Sequence, residues 1–284
     1  MEIIKLKKDG GLLEALVASG LPRTRAKSLL KHGAVKLNGR AVTKHDEPAA
    51  AGDRVEILRG AGLPPTLRNA RGGVSASPRI VFEDAHVLVV EKPAGLLSVA
   101  TEKEKERTIY FWLNEYLRPK RQRVFIVHRL DREASGLMVF AKDEPSKRAL
   151  QKGWEGTEKR YWALVEGLPD ELEGELEGAL RENTAKRVYV AARGGKPAIT
   201  RYRVVHRVGR HSLLEIELLT GRKHQIRVHL STAGHPIAGD EKYGAVSDPA
   251  GRLALHAYFL SFAHPVTGER MRFETPPPPF AKKL

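Results

Sequence analysis

Residues 124–143 read VFIVHRLDREASGLMVFAKD, and this stretch places two apolar runs around a short polar patch. The apolar runs cover residues 124–127 and 136–141, and the patch between them reads HRLDREAS. Short apolar runs bounded by polar residues are typical of buried strands. The stretch therefore predicts two strands that are joined by a strongly charged connection.

Asp131 lies inside the polar patch, between Arg129 and Arg132. Neighbouring guanidinium groups favour the ionised form of a carboxylate. An ionised aspartate can act as a nucleophile toward an electrophilic carbon of a sugar or a base. A structural salt bridge is the alternative interpretation of the same three residues, and their spacing alone leaves both open.

Strand-like runs continue along residues 79–284, and several alternate apolar and polar residues as half-buried antiparallel strands do. Helical patterns are fewer and fall near residues 107–117, 144–155 and 224–234. This mixture predicts an α+β fold with a large mixed, mostly antiparallel sheet. The runs are IVFEDAHVLVVEKP, FIVHRL, LMVFAK, KRYWALVEG, TRYRVVHRV, SLLEIELL and RFETP. The acidic segment 170–177, DELEGELE, is expected at a solvated edge.

Residues 1–59 have a pattern of their own and predict a small α/β domain. Two short helical patterns, GLLEALVASG and PRTRAKSLLKHG, each end in glycine. The segment AVKLNGRAV predicts a hairpin whose turn is Asn38-Gly39. On the second helix Arg23, Lys27 and Lys31 recur every four residues and therefore share one face. An ordinary solvated basic face is the alternative to a binding stripe.

Residues 60–78 separate this small domain from the rest of the chain. They read GAGLPPTLRNARGGVSASP, which is rich in Gly, Pro, Ser and Ala and contains no acid. Such composition is typical of a linker. The sequence thus predicts a domain at residues 1–59, a linker at 60–78 and a larger domain at 79–284.

The charge balance points to a polyanionic partner. Lys and Arg number 49 against 34 Asp and Glu, which gives a formal net charge of +15. RNA is the commonest polyanion in the cytoplasm, so we expect an RNA partner and a cytoplasmic location. No apolar run approaches the roughly 18 residues of a membrane span, so no membrane partner is expected.

Several kinds of chemistry lack their usual sequence signals. The chain has no cysteine, which excludes disulfides, thiolate metal sites and a cysteine nucleophile. Its histidines follow no familiar ligand spacing, and the serine-hydrolase, dinucleotide-binding and phosphate-loop motifs are absent. We therefore expect no metal site, and the residues give no motif for a nucleotide cofactor.

Five segments resemble the motifs of RluA-type RNA pseudouridine synthases, and they follow the family order across most of residues 79–284. One departure is Ala134, where the family commonly has threonine. The resemblance implies the fold of that family and its activity, which converts uridine in RNA to its carbon-linked isomer without a cofactor. The segments are EKPAGLLSVAT at 91–101, HRLDREASGLMVFAKD at 128–143, KRYWALVEG at 159–167, LLTGRKHQIRVHLSTAGHPIAGDEKYG at 218–244 and RLALHAYFLSFAHPVTGE at 252–269.

The resemblance also implies roles for single residues. Asp131 matches the essential aspartate, which attacks the ribose C1′, attacks C6 of the uracil, or acts as a base in an elimination. Arg222 matches the arginine that pairs with this aspartate. Tyr161 and Leu255 match residues on the two faces of the target uracil. Arg129 matches the arginine that helps to hold the target nucleotide out of the RNA. His128 and Lys92 lie in the motifs without an assigned role.

The N-terminal segment resembles a small RNA-binding module found in ribosomal proteins, tyrosyl-tRNA synthetases and RNA-modifying enzymes. The similarity rests on SGLPRTRAKSLLKHGAVKLNGRAV and AGDRVEIL. Pro22 stands where that module usually has serine. The resemblance implies contacts to the phosphate backbone from the basic helix, through Arg23, Arg25, Lys27 and Lys31.

Relatives that carry this appended module mostly act on large-subunit ribosomal RNA, so ribosomal RNA is the expected substrate and transfer RNA the second choice. A monomer is expected. The competing hypothesis is a non-catalytic RNA-binding factor in ribosome assembly. The presence of Asp131, Tyr161 and Arg222 together argues against it, because a protein without catalysis has no chemical need for all three.

Overall fold

A computed structural model describes residues 2–6, 8–31, 34–57 and 78–282 of the chain. The predicted linker at residues 60–78 lies almost wholly outside these ranges. The elements before it are β1 (Glu2–Lys5), β2 (Gly10–Gly11), α1 (Leu12–Ala18), α2 (Arg23–Lys31), β3 (Val35–Leu37), β4 (Arg40–Val42), β5 (Pro48–Ala49) and β6 (Arg54–Ile57).

The N-terminal elements have a sheet and an apolar core of their own. The sheet has the strand order β1-β6-β3-β4, and all of its pairs are antiparallel. The predicted hairpin joins β3 and β4 through Asn38 and Gly39, whose φ angles of 50° and 83° match a tight hairpin turn. Buried leucines of both helices pack against the strands.

The elements after the gap are β7 (Arg79–Glu83), β8 (Val87–Lys92), α3 (Ile109–Leu117), β9 (Phe125–Ile126), β10 (Ser135–Ala141), α4 (Glu144–Lys152), β11 (Glu158–Glu166), β12 (Glu173–Glu182), β13 (Val188–Val190), β14 (Lys196–Val208), β15 (His211–Leu218), α5 (Gln225–Thr232), β16 (Leu255–Ala263), β17 (Arg270–Glu274) and α6 (Pro279–Lys282). No helix within the described residues is long and apolar enough to cross a membrane.

These strands form one sheet of eleven strands. Its main path is β13-β12-β14-β15-β11-β16-β10-β8-β7, with β17 paired to β16 and β9 paired to β10. The pair β10–β16 is parallel, and the other pairs are antiparallel. The predicted α+β class with a large, mostly antiparallel sheet is confirmed.

The parallel pair fixes where the charged connection lies. Ser135 at the start of β10 is in register with His256 at the start of β16, so the segments that precede both strands lie at the same edge of the sheet. The two backbones approach closely at Gly136, where a Cβ would lie 2.2 Å from the carbonyl oxygen of Ala257. Glycine is therefore required there, and Asp131 enters this edge just before β10.

Central strands are buried on both faces, which explains their unbroken apolar runs. In β8, Leu88 and Val90 pack into one apolar cluster, whereas Val87 and Val89 pack into another on the opposite face. By contrast, β12 holds most of the acidic segment and lies next to the outermost strand β13. Its side chains alternate between exposed and half-buried positions.

The run FIVHRL differs from its prediction. Only Phe125 and Ile126 form a strand, and residues 127–134 leave the sheet as a loop. The polar patch accounts for this difference, because its residues contact other segments instead of pairing with a neighbouring strand. These contacts build the candidate site.

Candidate active site

The loop of residues 127–134 is fastened to the segment that follows β8. Ser98 donates its hydroxyl to the carbonyl of Leu130 at 2.5 Å and accepts the Leu130 amide at 3.0 Å. The amide of Gly95 donates to the carbonyl of Arg132 at 2.8 Å. The segment EKPAGLLSVAT therefore holds the loop HRLDREAS, which carries Asp131, although the two segments are far apart in the sequence.

Lys92 supports the same loop from inside the protein. Its side chain is fully buried, and Nζ lies within hydrogen-bonding distance of four carbonyl oxygens, those of Pro93, Leu96, Arg132 and Ala134, at 2.5–3.2 Å. Burial lowers the pKa of Lys92 to about 7, and the charges of Asp131 and Glu133 oppose this shift. Lys92 thus joins the turn after β8 to the backbone that directly follows Asp131.

Arg227 is the arginine that pairs with Asp131. Its NH1 donates to Asp131 Oδ2 at 3.1 Å. Its Nε and NH2 donate to the two oxygens of Asp240 at 2.7 and 2.8 Å. The side chain is 5% exposed and its guanidinium carbon lies 5.0 Å from the centre of the Tyr243 ring. Burial opposes the charge of Arg227, but Asp240 and Asp131 raise its pKa above the usual value.

The expected pairing of Arg222 with Asp131 is wrong. Arg222 lies in the exposed loop before α5, and its Nε donates to the carbonyl of Pro197 at 3.1 Å. Arg227 lies five residues further along, on the buried part of α5, where Asp240 fixes its orientation. Both arginines belong to one sequence motif, and only the helix geometry selects the buried one.

His224 completes the surroundings of Asp131. Its Nε2 lies 3.8 Å from Asp131 Oδ1, and its Nδ1 lies 2.7 Å from the hydroxyl of Tyr243. Burial lowers the pKa of His224, while Asp131 opposes the shift. The backbone of His224 is left-handed, with φ of 52°, and this conformation marks the turn that starts α5.

The substrate-binding residues that the sequence predicts line one cavity of about 290 Å³ together with Asp131. Tyr161 and Leu255 are buried in its wall, and Arg129 and Arg222 are exposed. Burial and the nearby charge of Asp131 raise the pKa of Tyr161, so its phenol stays protonated at neutral pH. The structure therefore brings Asp131, Tyr161, Leu255, Arg129 and Arg222 together, although Arg222 does not hold the aspartate.

His128 has a structural position beside this cavity. Its Nε2 accepts the amide proton of Val139 at 3.0 Å, and its ring lies 4.4 Å from that of Trp154. Burial lowers the pKa of His128 to about 3, and the charge of Lys159 adds to this effect. The ring is therefore neutral at pH 7 and ties the start of the loop to β10.

A second cleft of about 540 Å³ continues from Asp131 toward the surface. Arg129, Asp131, His224 and Arg227 line both spaces. Basic side chains outnumber acidic ones in its lining, which suits a polyanion. The basic members are Arg129, Arg132, Lys186, Lys223, Arg227, Lys242 and Arg252, and the acidic ones are Asp131, Glu133, Asp240, Glu241 and Asp248. Within the described ranges no three His, Asp or Glu side chains are grouped as metal ligands.

The basic helix α2 is described only in part. Arg23 donates two hydrogen bonds to Glu14, at 2.7 and 3.0 Å, and both side chains are largely exposed. Lys27 is exposed as well. The side chains of Arg25 and Lys31 lie outside the described part of the protein. Binding of RNA by this helix remains a prediction.

Sequence reasoning missed Arg227, Asp240 and His224 and left Lys92 and His128 without roles. One available signal was an arginine inside the apolar pattern of α5, between Ile226 and Val228. A cation in such a position needs a buried acid, and Asp240 follows in the same motif. No comparable signal distinguished Lys92 from a surface lysine.

Comparison with known proteins gives concordant matches. The family described as RNA pseudouridylate synthase matches residues 86–232. The Neisseria meningitidis serogroup B protein named ribosomal large subunit pseudouridine synthase D is 38% identical over 97% of this chain and 78% of its own length. Ribosomal large subunit pseudouridine synthase C of Escherichia coli K12 is 34% identical over 90% of this chain and 85% of its own.

A solved structure shows the same architecture. The human RNA pseudouridylate synthase domain containing 1 superposes with a TM-score of 0.61 at 26% sequence identity. The superposition covers 71% of this chain and 84% of the human chain.

Proposed function

The chain belongs to the RNA pseudouridylate synthase family, and on that premise we propose that it isomerises specific uridines of large-subunit ribosomal RNA to pseudouridine. The observation that carries the proposal is the position of Asp131, which lies 3.1 Å from the buried Arg227 at the mouth of a cavity lined by Tyr161 and Leu255. The names of the Neisseria and Escherichia relatives support ribosomal RNA as the substrate.

The reaction exchanges one bond for another within a single nucleotide. The bond between ribose C1′ and uracil N1 breaks, and a bond between C1′ and C5 forms after the ring has turned. C5 loses a proton and N1 gains one, so atoms and charge balance without any added reagent. Asp131 attacks C1′, attacks C6 or removes a proton in an elimination, and all three routes require its ionised form.

Arg227 keeps Asp131 in the form and the place that the reaction needs. Its guanidinium favours the carboxylate anion through a charge-assisted hydrogen bond. The two hydrogen bonds to Asp240 fix the guanidinium plane, so the remaining N–H group points at Asp131. Lys92 and Ser98 hold the loop backbone, and Asp131 therefore keeps its position while the uracil turns.

Tyr161 and Leu255 are proposed to hold the two faces of the target uracil. Both belong to neighbouring strands, because Ala163 of β11 pairs with Leu255 of β16 and Tyr161 lies two residues before Ala163 on the same face. An aromatic ring and an aliphatic side chain form a slot for a flat base. The slot restrains the uracil without blocking rotation in its own plane.

A base inside an RNA helix cannot reach this slot, so the nucleotide must leave its stack at a cost of about a few kcal/mol. Exposed Arg129 lies at the rim of the cavity and is proposed to occupy the vacated place, since a guanidinium can stack and bind phosphate at once. Arg222 at the same rim is proposed to contact the RNA backbone. Arg23, Arg25, Lys27 and Lys31 are proposed to contact phosphates further away.

The test uses transcripts whose uracil carries tritium at C5. Purified protein is incubated with unmodified large-subunit ribosomal RNA, small-subunit ribosomal RNA and transfer RNA, and released tritium is counted while the modified positions are mapped. Release from the large-subunit transcript alone is expected, and none with Asp131→Asn. Release only from transfer RNA would revise the substrate. RNA binding without release would favour the assembly-factor alternative. A cytoplasmic location and a monomeric state remain predictions.

A further inference from the structure

Lys159 lies in the cavity wall and begins the motif KRYWALVEG. Neither the family resemblance nor the roles proposed above assign it a function. It precedes Tyr161 by two residues on β11, so both side chains leave the same face of the strand. Lys159 is 6% exposed and lines the same cavity as Tyr161 and Leu255. Asp131 enters the sheet edge where β10 and β16 start, at Ser135 and His256. Along β16, Tyr161 pairs with Ala257 and Lys159 with Leu260, so Lys159 lies further from that edge, and from Asp131, than Tyr161 does.

The ammonium of Lys159 has no hydrogen-bond acceptor and no ion-pair partner among the residues that the structure describes. Its Nζ lies 5.7 Å from the centre of the Trp154 ring. Burial lowers the pKa of Lys159, and the charge of Glu155 opposes the shift only through space. Nζ itself is not among the fully buried polar atoms that lack a partner in the described residues, so it opens into the cavity, where a ligand can reach it.

Lys92 of β8 and Lys142, which follows β10, also have buried side chains, and both have protein partners. Lys92 lies near four carbonyl oxygens. Lys142 donates to the carboxylate of Glu83 at 2.9 Å and to the carbonyl of Asp84 at 2.6 Å. Lys159 differs from both lysines because it has no such acceptor among the described residues, and it lines a cavity. Its missing partner is therefore expected to be part of the ligand that fills this cavity.

The chemistry of the ligand follows from where the ammonium lies. Phosphates of an RNA backbone stay at the rim, where Arg129 and Arg222 are exposed. The inner wall meets the inserted base. When N1 of the uracil faces Asp131, the ring atom opposite N1 is C4, which carries a carbonyl oxygen. That oxygen is the acceptor that reaches furthest from Asp131 and toward Lys159.

This inference rests on the proposed function. We propose that the ammonium of Lys159 donates a hydrogen bond to O4 of the target uracil and thereby selects uracil over cytosine. Cytosine has an amino group at the same position, which offers donors to a donor and leaves the ammonium unpaired. A site with a buried polar group discriminates strongly against a base that cannot pair with it.

The symmetry of uracil extends the role of Lys159 through the reaction. Rotation of the ring in its own plane by about one third of a turn brings C5 to the place of N1 and O2 to the place of O4. A carbonyl oxygen therefore returns to the same place when C5 has replaced N1 beside the ribose. Lys159 donates to O4 of the bound uridine and to O2 of the product, and no proton leaves the ammonium.

The experiment is a double-mutant cycle between protein and RNA. It uses an RNA fragment around a uridine that the wild-type protein converts, made with uracil or with pyrimidin-2-one, which lacks O4. Binding is measured in the Asp131→Asn background, so no turnover occurs. Removal of O4 is expected to weaken binding about 10- to 100-fold when Lys159 is present, as for a hydrogen bond to a charged group. With Lys159→Met, both RNAs are expected to bind equally.

The control is Lys152→Met, which removes an exposed lysine at the end of α4 and should keep the full O4 effect. Equal binding of the two RNAs when Lys159 is present would overturn the inference, and this comparison needs no folded Lys159 variant. Lys159→Met could instead weaken the binding of both RNAs by the same factor and lower the salt dependence of that binding. This result would also overturn the inference, because it would indicate that Lys159 contacts a phosphate. Conversion of uridine is measured first, so a protein that converts none refutes the proposed function instead, and the inference with it.

Discussion

The N-terminal helix α2 and the loop around Asp131 are both rich in cations, but they hold them differently. Arg23 of α2 is exposed and pairs with one exposed acid, Glu14. Arg227 beside Asp131 is buried, donates hydrogen bonds to two acids and lies under an aromatic ring. Exposed pairs contribute about 0–1 kcal/mol, whereas breaking a buried pair costs about 3–5 kcal/mol.

This difference shows that the cations behind the net charge of +15 form two groups, exposed and buried, with different roles. Exposed cations attract any polyanion and can replace one another. Buried cations each fix one group, and their loss cannot be made up by a neighbour. Substitutions in the two regions should therefore differ in size and in kind.

Asp131→Asn should have the largest effect. The amide cannot act as a nucleophile or a base, so tritium release should fall by about 10⁴-fold or more while RNA binding persists. Glu133→Gln is the matched control, because it neutralises a half-exposed acid two residues away that also approaches Arg227, at 3.7 Å. Similar losses in the two variants would mean that Asp131 acts only as a negative charge.

Arg227→Gln should come next, and its effect should appear in folding as well as activity. The change leaves Asp240 buried without its two donors, so the free energy of unfolding should fall by about 3–5 kcal/mol. Arg222→Gln removes the same charge five residues earlier from an exposed position and should change it by less than about 0.5 kcal/mol. Urea denaturation measures both, and equal losses would contradict the assignment of the buried partner.

His128 gives a smaller effect that depends on pH. Its folded pKa of about 3 lies below the usual 6.5, so between these values the unfolded chain binds more protons and stability rises with pH. On acidification from pH 6.5 to 5 the wild type should lose about 2 kcal/mol more than His128→Gln. Urea denaturation at both pH values measures the difference, and equal slopes of unfolding free energy against pH for the wild type and His128→Gln would contradict a neutral, buried His128.

Lys27→Gln on α2 should have the smallest effect. Removing one phosphate contact should weaken RNA binding a few-fold and lower the slope of log affinity against log salt by about 1. Lys44→Gln, in an exposed loop of the same segment, is the control. Identical salt slopes for Lys27→Gln and the wild type would remove Lys27 from the RNA interface.

Particular residues show how far the sequence reaches. The Asn38-Gly39 turn, the start of α3 near residue 107 and the strand KRYWALVEG follow from local patterns and agree with the structure. The motifs also placed Asp131, Tyr161 and Leu255 at one site, and all three line one cavity. The sequence could not decide which of Arg222 and Arg227 pairs with Asp131, because both belong to one motif and only the packing of α5 buries one of them.

The sequence by itself determined the family, the α+β class and the aspartate at the centre of the candidate site, since these depend on local periodicity and on motifs read along the chain. The tertiary structure decided which cation serves which acid. Burial and partners come from residues far apart, such as Lys92 with Ala134 and Arg227 with Asp131. The role of a charged side chain depends on its neighbours, and only the packed sheet and helices bring those neighbours together.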